Sequence, residues 1–239
     1  MVSRALRYAA PNVVSLLSMT VGLCSIILSG SGHLALAGWL VIYSCFLDKA
    51  DGTIARALGV SSPFGVQMDS FSDFTSFGLA PAALMYFLAP IHGLPLVWAG
   101  AAAWCFPAMA AVRLARFNIS GHEDRDFFLG IPTTFAAGLF AATVLSMEDL
   151  GILASAASLL PSIMFLLAAL MVSPLRIPKL KSRKSKMLTF AQLAAVLCTL
   201  VLAVFRVLPE VPLVLGLLYL FGGILVGAQS RHGDTCGAN

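Results

Sequence analysis

The sequence predicts an all-α integral membrane protein, a polytopic bundle of about eight transmembrane helices. Three observations predict it. Hydrophobic residues make up 59% of the chain and charged residues 11%, against about 25% charged in a soluble domain. Apolar stretches of about twenty residues recur, the length a helix needs to cross a bilayer. The alternating segments of about ten residues that build a membrane barrel do not occur. Basic residues gather at alternate ends of the apolar stretches, as the loop asymmetry of helical membrane proteins requires. At 239 residues there is room for these spans within a single transmembrane domain over 1–239, and for no separate soluble one.

The first span is expected near 11–30. It follows Arg4 and Arg7 and ends at Gly30-Ser31-Gly32, where glycine frees the backbone to turn. Arg4 and Arg7 before an apolar run, with Ala35-Leu36-Ala37 downstream, also imitate a cleaved signal peptide, but the run is longer than the usual apolar region of about 7–15 residues. The second span, 34–55, is apolar up to Leu47 and then turns charged. Gly59 to Pro63 break it. Ser62 suits an N-cap and Pro63 a first helical position, so a third span starts at 63 and runs to 90, where His92-Gly93 interrupts. The fourth, 94–116, closes on Arg113 and Arg116, and the polar stretch from Gly121 to Gly130 separates it from the fifth, 131–148. The sixth covers 150–173. A basic run follows at 176–186, then spans near 188–206 and 210–229.

With the N-terminus inside, this layout puts Arg4, Arg7, the 49–56 end, Arg113, Arg116, Arg125, the 176–186 run and Arg231 on one side, and only Arg206 on the other. Cytoplasmic termini follow. The run Arg176, Lys179, Lys181, Arg183, Lys184, Lys186 reads as a topogenic loop, with attraction to anionic headgroups as the alternative. The five cysteines and four histidines form no C-x-x-C motif or Cys/His cluster, so a thiolate zinc site is not expected. No nucleophile triad or phosphate-cradling glycine loop stands out.

Against this background Asp48, Asp51, Asp69 and Asp73 are conspicuous: four of the chain's eleven acids, bordered by apolar runs. An ionised aspartate near a bilayer centre costs roughly 2.5–3.5 kcal/mol on insertion scales, and like charges about 4 Å apart repel by about 4 kcal/mol at an effective dielectric near 20. A divalent cation is the natural compensation, because carboxylate oxygens suit Mg²⁺ and Mn²⁺. At 3.6 residues per turn, Asp48, Asp51, Gly52, Ala55 and Arg56 share one face of the second span. The small residues leave a slot where a flat group can approach the backbone, and the arginine can pair with phosphate oxygens. Gly52 and Ala55 also have a plain reading as close helix packing. On the third span Gly65, Asp69 and Asp73 follow one another at i+4 steps, with Ser72 and Ser76 on the same side. Two antiparallel helices joined by a short turn would gather the four carboxylates into a cage for two ions about 3.5–4 Å apart. The residues thus point to a metal-dependent enzyme acting on a phosphate ester at the cytoplasmic face. Acids inside a bundle also serve cation pathways, so a cation transporter is the competing reading.

The full string, Asp48-x2-Asp51-Gly52-x2-Ala55-Arg56-x8-Gly65-x3-Asp69-x3-Asp73, resembles the signature of the CDP-alcohol phosphatidyltransferase family at every fixed position. Further stretches resemble its serine-accepting branch: Pro11-Asn12 with Ser15 where threonine is usual; Phe64 through Asp73; Ser76-Phe77-Gly78-x-Ala80-Pro81-Ala82; Arg113-Leu114-Ala115-Arg116-Phe117-Asn118; Gly130-Ile131-Pro132-Thr133-Thr134, with Thr134 in place of a second proline; and, more loosely, Met171 to Pro178. The resemblance covers roughly residues 11–181.

The resemblance implies a helical membrane enzyme, a homodimer, that uses two Mg²⁺ or Mn²⁺ ions to transfer the phosphatidyl group of CDP-diacylglycerol to the hydroxyl of L-serine, giving phosphatidylserine and CMP. It assigns the metal to Asp48, Asp51, Asp69 and Asp73, the general base to Asp73, and the nucleotide and lipid phosphates to Gly52, Ala55, Arg56 and Gly65. Arg113 and Arg116, one turn apart, can hold a lipid phosphate or the carboxylate of serine, and Asn118 can orient the acceptor. Ser15 and Thr134 are expected outside the metal cage. Other acceptors (glycerol 3-phosphate, inositol phosphate, choline) or an archaeal ether-lipid donor are the nearer alternatives. The expected setting is the plasma membrane among its lipids, with the active site on the cytoplasmic side and no nucleic-acid partner.

Overall fold

A computed structural model of the chain describes residues 4–59, 62–120, 127–178, 199, 201 and 205–236. The expected span 188–206 and the basic segment 179–186 lie almost wholly outside the described residues.

The first two helices, α1 (Arg4–Gly30) and α2 (Leu34–Leu58), form an antiparallel pair. The Ser25 hydroxyl donates to the carbonyl of Ala37 across it at 2.8 Å. α3 (Pro63–Asp73) starts at the expected cap: the Ser62 hydroxyl accepts from the Gly65 amide at 3.0 Å, and Pro63 opens the helix. The third span then continues without a break through a π-helical stretch, Phe74–Leu79, into α4 (Ala80–Ile91). Pro81 explains the widened turn. It cannot donate to the carbonyl four residues back and its ring clashes with it, and a π-bulge relieves both by opening the spacing, as in the amide of Ala80 reaching Thr75.

α5 (Leu96–Ser120) extends past the expected end at 116, so Arg113 to Asn118 are helical. Two short strands, absent from the span layout expected of the sequence, follow. β1 (Phe127–Leu129) pairs antiparallel with β2 (Arg176–Pro178), Phe128 facing Ile177. This ribbon ties the start of α6 (Thr133–Asp149) to the end of α8 (Leu160–Val172); a short α7 (Leu153–Ala156) and a 3₁₀ turn (Ala157–Leu159) precede α8. The last helix is α9 (Glu210–Cys236).

α6 is the hub. Ala136, Ala137 and the residues from Leu139 to Ser146 are all buried. One side meets Leu84, Leu88, Phe106 and Met164; the other meets Trp39, Val41, Ile42 and Phe77. Large apolar side chains elsewhere, including Leu17, Ile27, Trp98, Trp104, Leu166 and Phe221, face outward, which suits contact with lipid chains. Among the described residues, four helices are long and apolar enough to cross a membrane: Asn12–Gly30, Pro63–Ile91, Leu96–Ile119 and Leu153–Val172. The expectation of about eight spans additionally requires α2, charged at its end, α6 with 17 residues, α9, apolar over Glu210–Leu225, and 188–206.

Two glycines hold close approaches. A methyl group at Gly22 on α1 would lie 2.4 Å from Ser76 Oγ and 2.7 Å from Ser76 Cα. Gly130 combines a φ of +71° with a Cβ position 2.3 Å from the carbonyl oxygen of Met171. Gly22→Ala and Gly130→Ala are expected to destabilise the detergent-solubilised protein by about 1–3 kcal/mol each, whereas Gly222→Ala, with open space around it, leaves the melting temperature nearly unchanged. Scanning fluorimetry of the three variants checks this.

Candidate metal centre

Asp48 sits just past the middle of α2, and Asp69 and Asp73 lie one turn apart on α3. The Ser62 cap starts α3, which packs against α1, and its acids meet Asp48 of α2. One carboxylate oxygen from each of Asp48, Asp69 and Asp73 lies within 4.8 Å of the other two, and all three residues are half-buried. Asp73 is also within hydrogen-bonding reach of Asp48. Asp51, Ala55 and Arg56 lie on the α2 backbone, but their side chains fall outside the described residues. The structure therefore brings three of the four expected carboxylates together.

The donor set fits a hard divalent cation. Three carboxylate oxygens gathered within 4.8 Å of one another would suit a small hard divalent ion such as Mg²⁺ or Mn²⁺. Without a cation, ionised carboxylates at this separation repel by up to about 4 kcal/mol per pair, a cost that protonation of part of the cluster lowers.

The motif helix is locked onto α1. Ser72 Oγ donates to the Ser15 carbonyl and Ser76 Oγ to the Ser18 carbonyl, each at 2.9 Å and buried. These serines, expected on the acidic side, hold α3 and the π stretch to α1. Ser15 takes part through its backbone carbonyl, which a threonine would supply equally. At Gly65 an added Cβ would lie 3.2 Å from both Asn12 Oδ1 and Ser62 Oγ, so this glycine admits the side chain of Asn12 on α1 to the start of α3. Gly52 is half-buried on α2, one turn after Asp48.

Arg113, Arg116 and Asn118 all lie toward the end of α5. Arg113 is half-buried on α5. Arg116 is exposed, and its Nη1 donates to the carbonyl of Val172 at the end of α8 at 3.3 Å. Asn118 Nδ2 donates to Ser70 Oγ at 2.9 Å, beside Asp69 on the motif helix.

One expectation is corrected. Thr134 does not lie outside the acidic cluster: its Oγ1 donates to Asp48 Oδ2 at 3.4 Å. The first turn of α6 comes alongside α2, and Cys45 Sγ donates to the Thr134 carbonyl at 3.5 Å. Periodicity within either helix carries no signal for this cross-helix contact. The departure from a second proline in Gly130 to Thr134 was the one sequence mark at the position.

A family model described as CDP-alcohol phosphatidyltransferase matches residues 8–173. The chain belongs to the CDP-alcohol phosphatidyltransferase family. It is therefore a transferase of helical membrane type. Among its relatives, a CDP-diacylglycerol–serine O-phosphatidyltransferase of Helicobacter pylori (strain ATCC 700392 / 26695) is 35% identical over 217 residues, 90% of each chain. One bearing the same name from Methanocaldococcus jannaschii is 32% identical over 215 residues, covering 89% of this chain and 90% of that one. An archaetidylserine synthase of Methanothermobacter thermautotrophicus is 32% identical over 173 residues, 72% of this chain and 70% of that one.

The clustering of like charges makes a prediction for this phosphatidyltransferase stripped of metal. In EDTA, Asp69→Asn removes one of three repelling charges and should melt about 2–4 °C above wild type, the shift expected from about 1 kcal/mol in a chain of this size. A lower or equal melting temperature in EDTA contradicts the electrostatic reading.

Proposed function

We propose that the chain transfers the phosphatidyl group of CDP-diacylglycerol to the hydroxyl of L-serine, giving phosphatidylserine and CMP, and that 1–239 acts as one catalytic domain. The observation that carries this reading is the convergence of Asp48, Asp69 and Asp73. Serine as acceptor is supported by the names of relatives that match about nine-tenths of the chain.

Asp48, Asp51, Asp69 and Asp73 would hold two Mg²⁺ or Mn²⁺ ions. When bound, such ions neutralise the diphosphate oxygens and favour in-line displacement. Gly52 and Ala55 leave room for the CDP moiety along α2, Arg56 pairs with its phosphate oxygens, and Gly65 keeps the entry between α1 and α3 narrow. Asp73 accepts the proton of the serine hydroxyl as general base. The serine oxygen forms a bond to the lipid-side phosphorus, the bond from that phosphorus to the bridging oxygen breaks, and CMP leaves carrying the electron pair. Arg113 and Arg116 attract the carboxylate of serine or a lipid phosphate. Asn118 acts at one remove, steadying Ser70 beside Asp69. The lipid enters sideways from the cytoplasmic leaflet of the plasma membrane, serine arrives from water, and two copies of the chain work as a homodimer.

Purified full-length protein given CDP-diacylglycerol, Mn²⁺ or Mg²⁺ and labelled serine should release CMP and label the lipid. Glycerol 3-phosphate, inositol phosphate and choline should fail to compete, and CDP-linked ether lipid should separate the two donor types. Asp73→Asn should lower turnover at least about 10²-fold, the lower end for loss of a general base, while still binding the nucleotide. Full activity in that variant overturns the base assignment. Metal flux into proteoliposomes without CMP release overturns the enzymatic reading altogether.

A further inference from the structure

We propose that Thr134 is a positioning residue for the metal centre, fixing the rotation of the Asp48 carboxylate; this rests on the metal-dependent reading given above. α2 grips this residue at two points one turn apart. Asp48 Oδ2 accepts from the Thr134 hydroxyl at 3.4 Å, and the Cys45 thiol, shared with the Val41 carbonyl at 3.3 Å, reaches the Thr134 carbonyl at 3.5 Å. The hydroxyl contact is longer than the usual 2.5–3.0 Å of an O–H···O bond, so its weight comes from how firmly both partners are placed. Gly138, one turn further along α6, also faces Cys45: a Cβ there would stand in ordinary contact with its Sγ at 3.4 Å.

Thr134 is held from the other side as well. The Gly130 amide donates to the Leu175 carbonyl at 2.8 Å and the Ile131 amide to the Leu170 carbonyl at 3.1 Å. The β1–β2 ribbon and the end of α8 thereby set where α6 begins. Thr134 is the second residue of α6, and no side chain caps that end, since Pro132 stands at the cap. The first-turn amides of a helix lack intrahelical acceptors and carry its positive end, which adds to the attraction for the Asp48 carboxylate.

An aspartate has a freely turning carboxylate unless something holds it. A donor fixed on Oδ2 occupies one lone pair and turns the remaining acceptor positions toward Asp69 and Asp73. Hydrogen bonds of this kind to a ligating carboxylate are typically worth about 10–100-fold in metal affinity. A purely structural threonine would instead change the fold's stability and leave metal affinity alone.

The test uses the full-length protein in detergent, with free Mn²⁺ counted by electron paramagnetic resonance. Thr134→Val, close in volume but without a hydroxyl, should weaken Mn²⁺ binding by about 10-fold, and Thr134→Ser should bind nearly as wild type does. Melting in EDTA should be similar for all three. Wild-type Mn²⁺ affinity in Thr134→Val, or equal weakening in Thr134→Ser, overturns the inference while leaving the metal centre standing. If Thr134→Val does not fold, Thr134→Ser and Thr134→Ala carry the comparison, and the inference requires only the alanine variant to lose affinity. Binding by wild type that disappears in Asp69→Asn supports the metal centre itself. No binding by wild type overturns both.

Discussion

Three carboxylates half-buried among apolar helices repel one another, and the fold must both tolerate that repulsion and keep it in place. The arrangement around Asp48, Asp69 and Asp73 meets both demands. The acids are divided between two helices so that neither segment carries the whole penalty. They face each other because the Ser62 cap starts α3 immediately after the turn. They cannot drift apart, because buried hydrogen bonds from Ser72 and Ser76 fasten the motif helix to carbonyls of α1. Close helix approach at Gly22 brings Ser76 within reach, so ordinary helix packing maintains an arrangement that electrostatics alone would disperse.

The rest of the chain acts as a frame for that pair. α6 is buried along most of its length and separates two apolar clusters. Its first turn abuts Asp48, and its start is fixed by the ribbon that joins the segment before α6 to the segment after α8. The end of the bundle that carries the acids is thus tied together by backbone hydrogen bonds, whereas its flanks present apolar side chains outward. Such a division suits a protein whose substrate is partly lipid and partly water-soluble: a rigid polar end, and smooth sides along which an acyl chain can lie.

Much of this was legible in the sequence, for local reasons. Helical periodicity places Asp48 with Gly52, and Asp69 with Asp73, on common faces. Ser62-Pro63 announces the start of α3, and apolar length announces the spans. The features that escaped are those that no local pattern encodes. The π stretch at Phe74–Leu79 arises from the way Pro81 is accommodated inside a continuous helix, a choice among several ways to absorb a proline. Strands of three residues at Phe127–Leu129 and Arg176–Pro178 are too short to show alternation, and their pairing joins segments far apart in the chain. The helix at Arg113–Asn118 continues past its charges because Arg116 finds the end of α8 and Asn118 finds Ser70, partners visible only in three dimensions. Thr134 beside Asp48 belongs to the same class.

The central claim is that acids from two neighbouring helices share bound divalent cations. Anomalous diffraction at the manganese edge, from crystals of the full chain grown with Mn²⁺, tests it most directly. The account predicts a peak between α2 and α3 with carboxylate oxygens of Asp48, Asp69 and Asp73 at roughly 2.1 Å, the bonding range of a small hard divalent ion. A peak elsewhere, or none in crystals whose protein is otherwise ordered and folded as described, contradicts it.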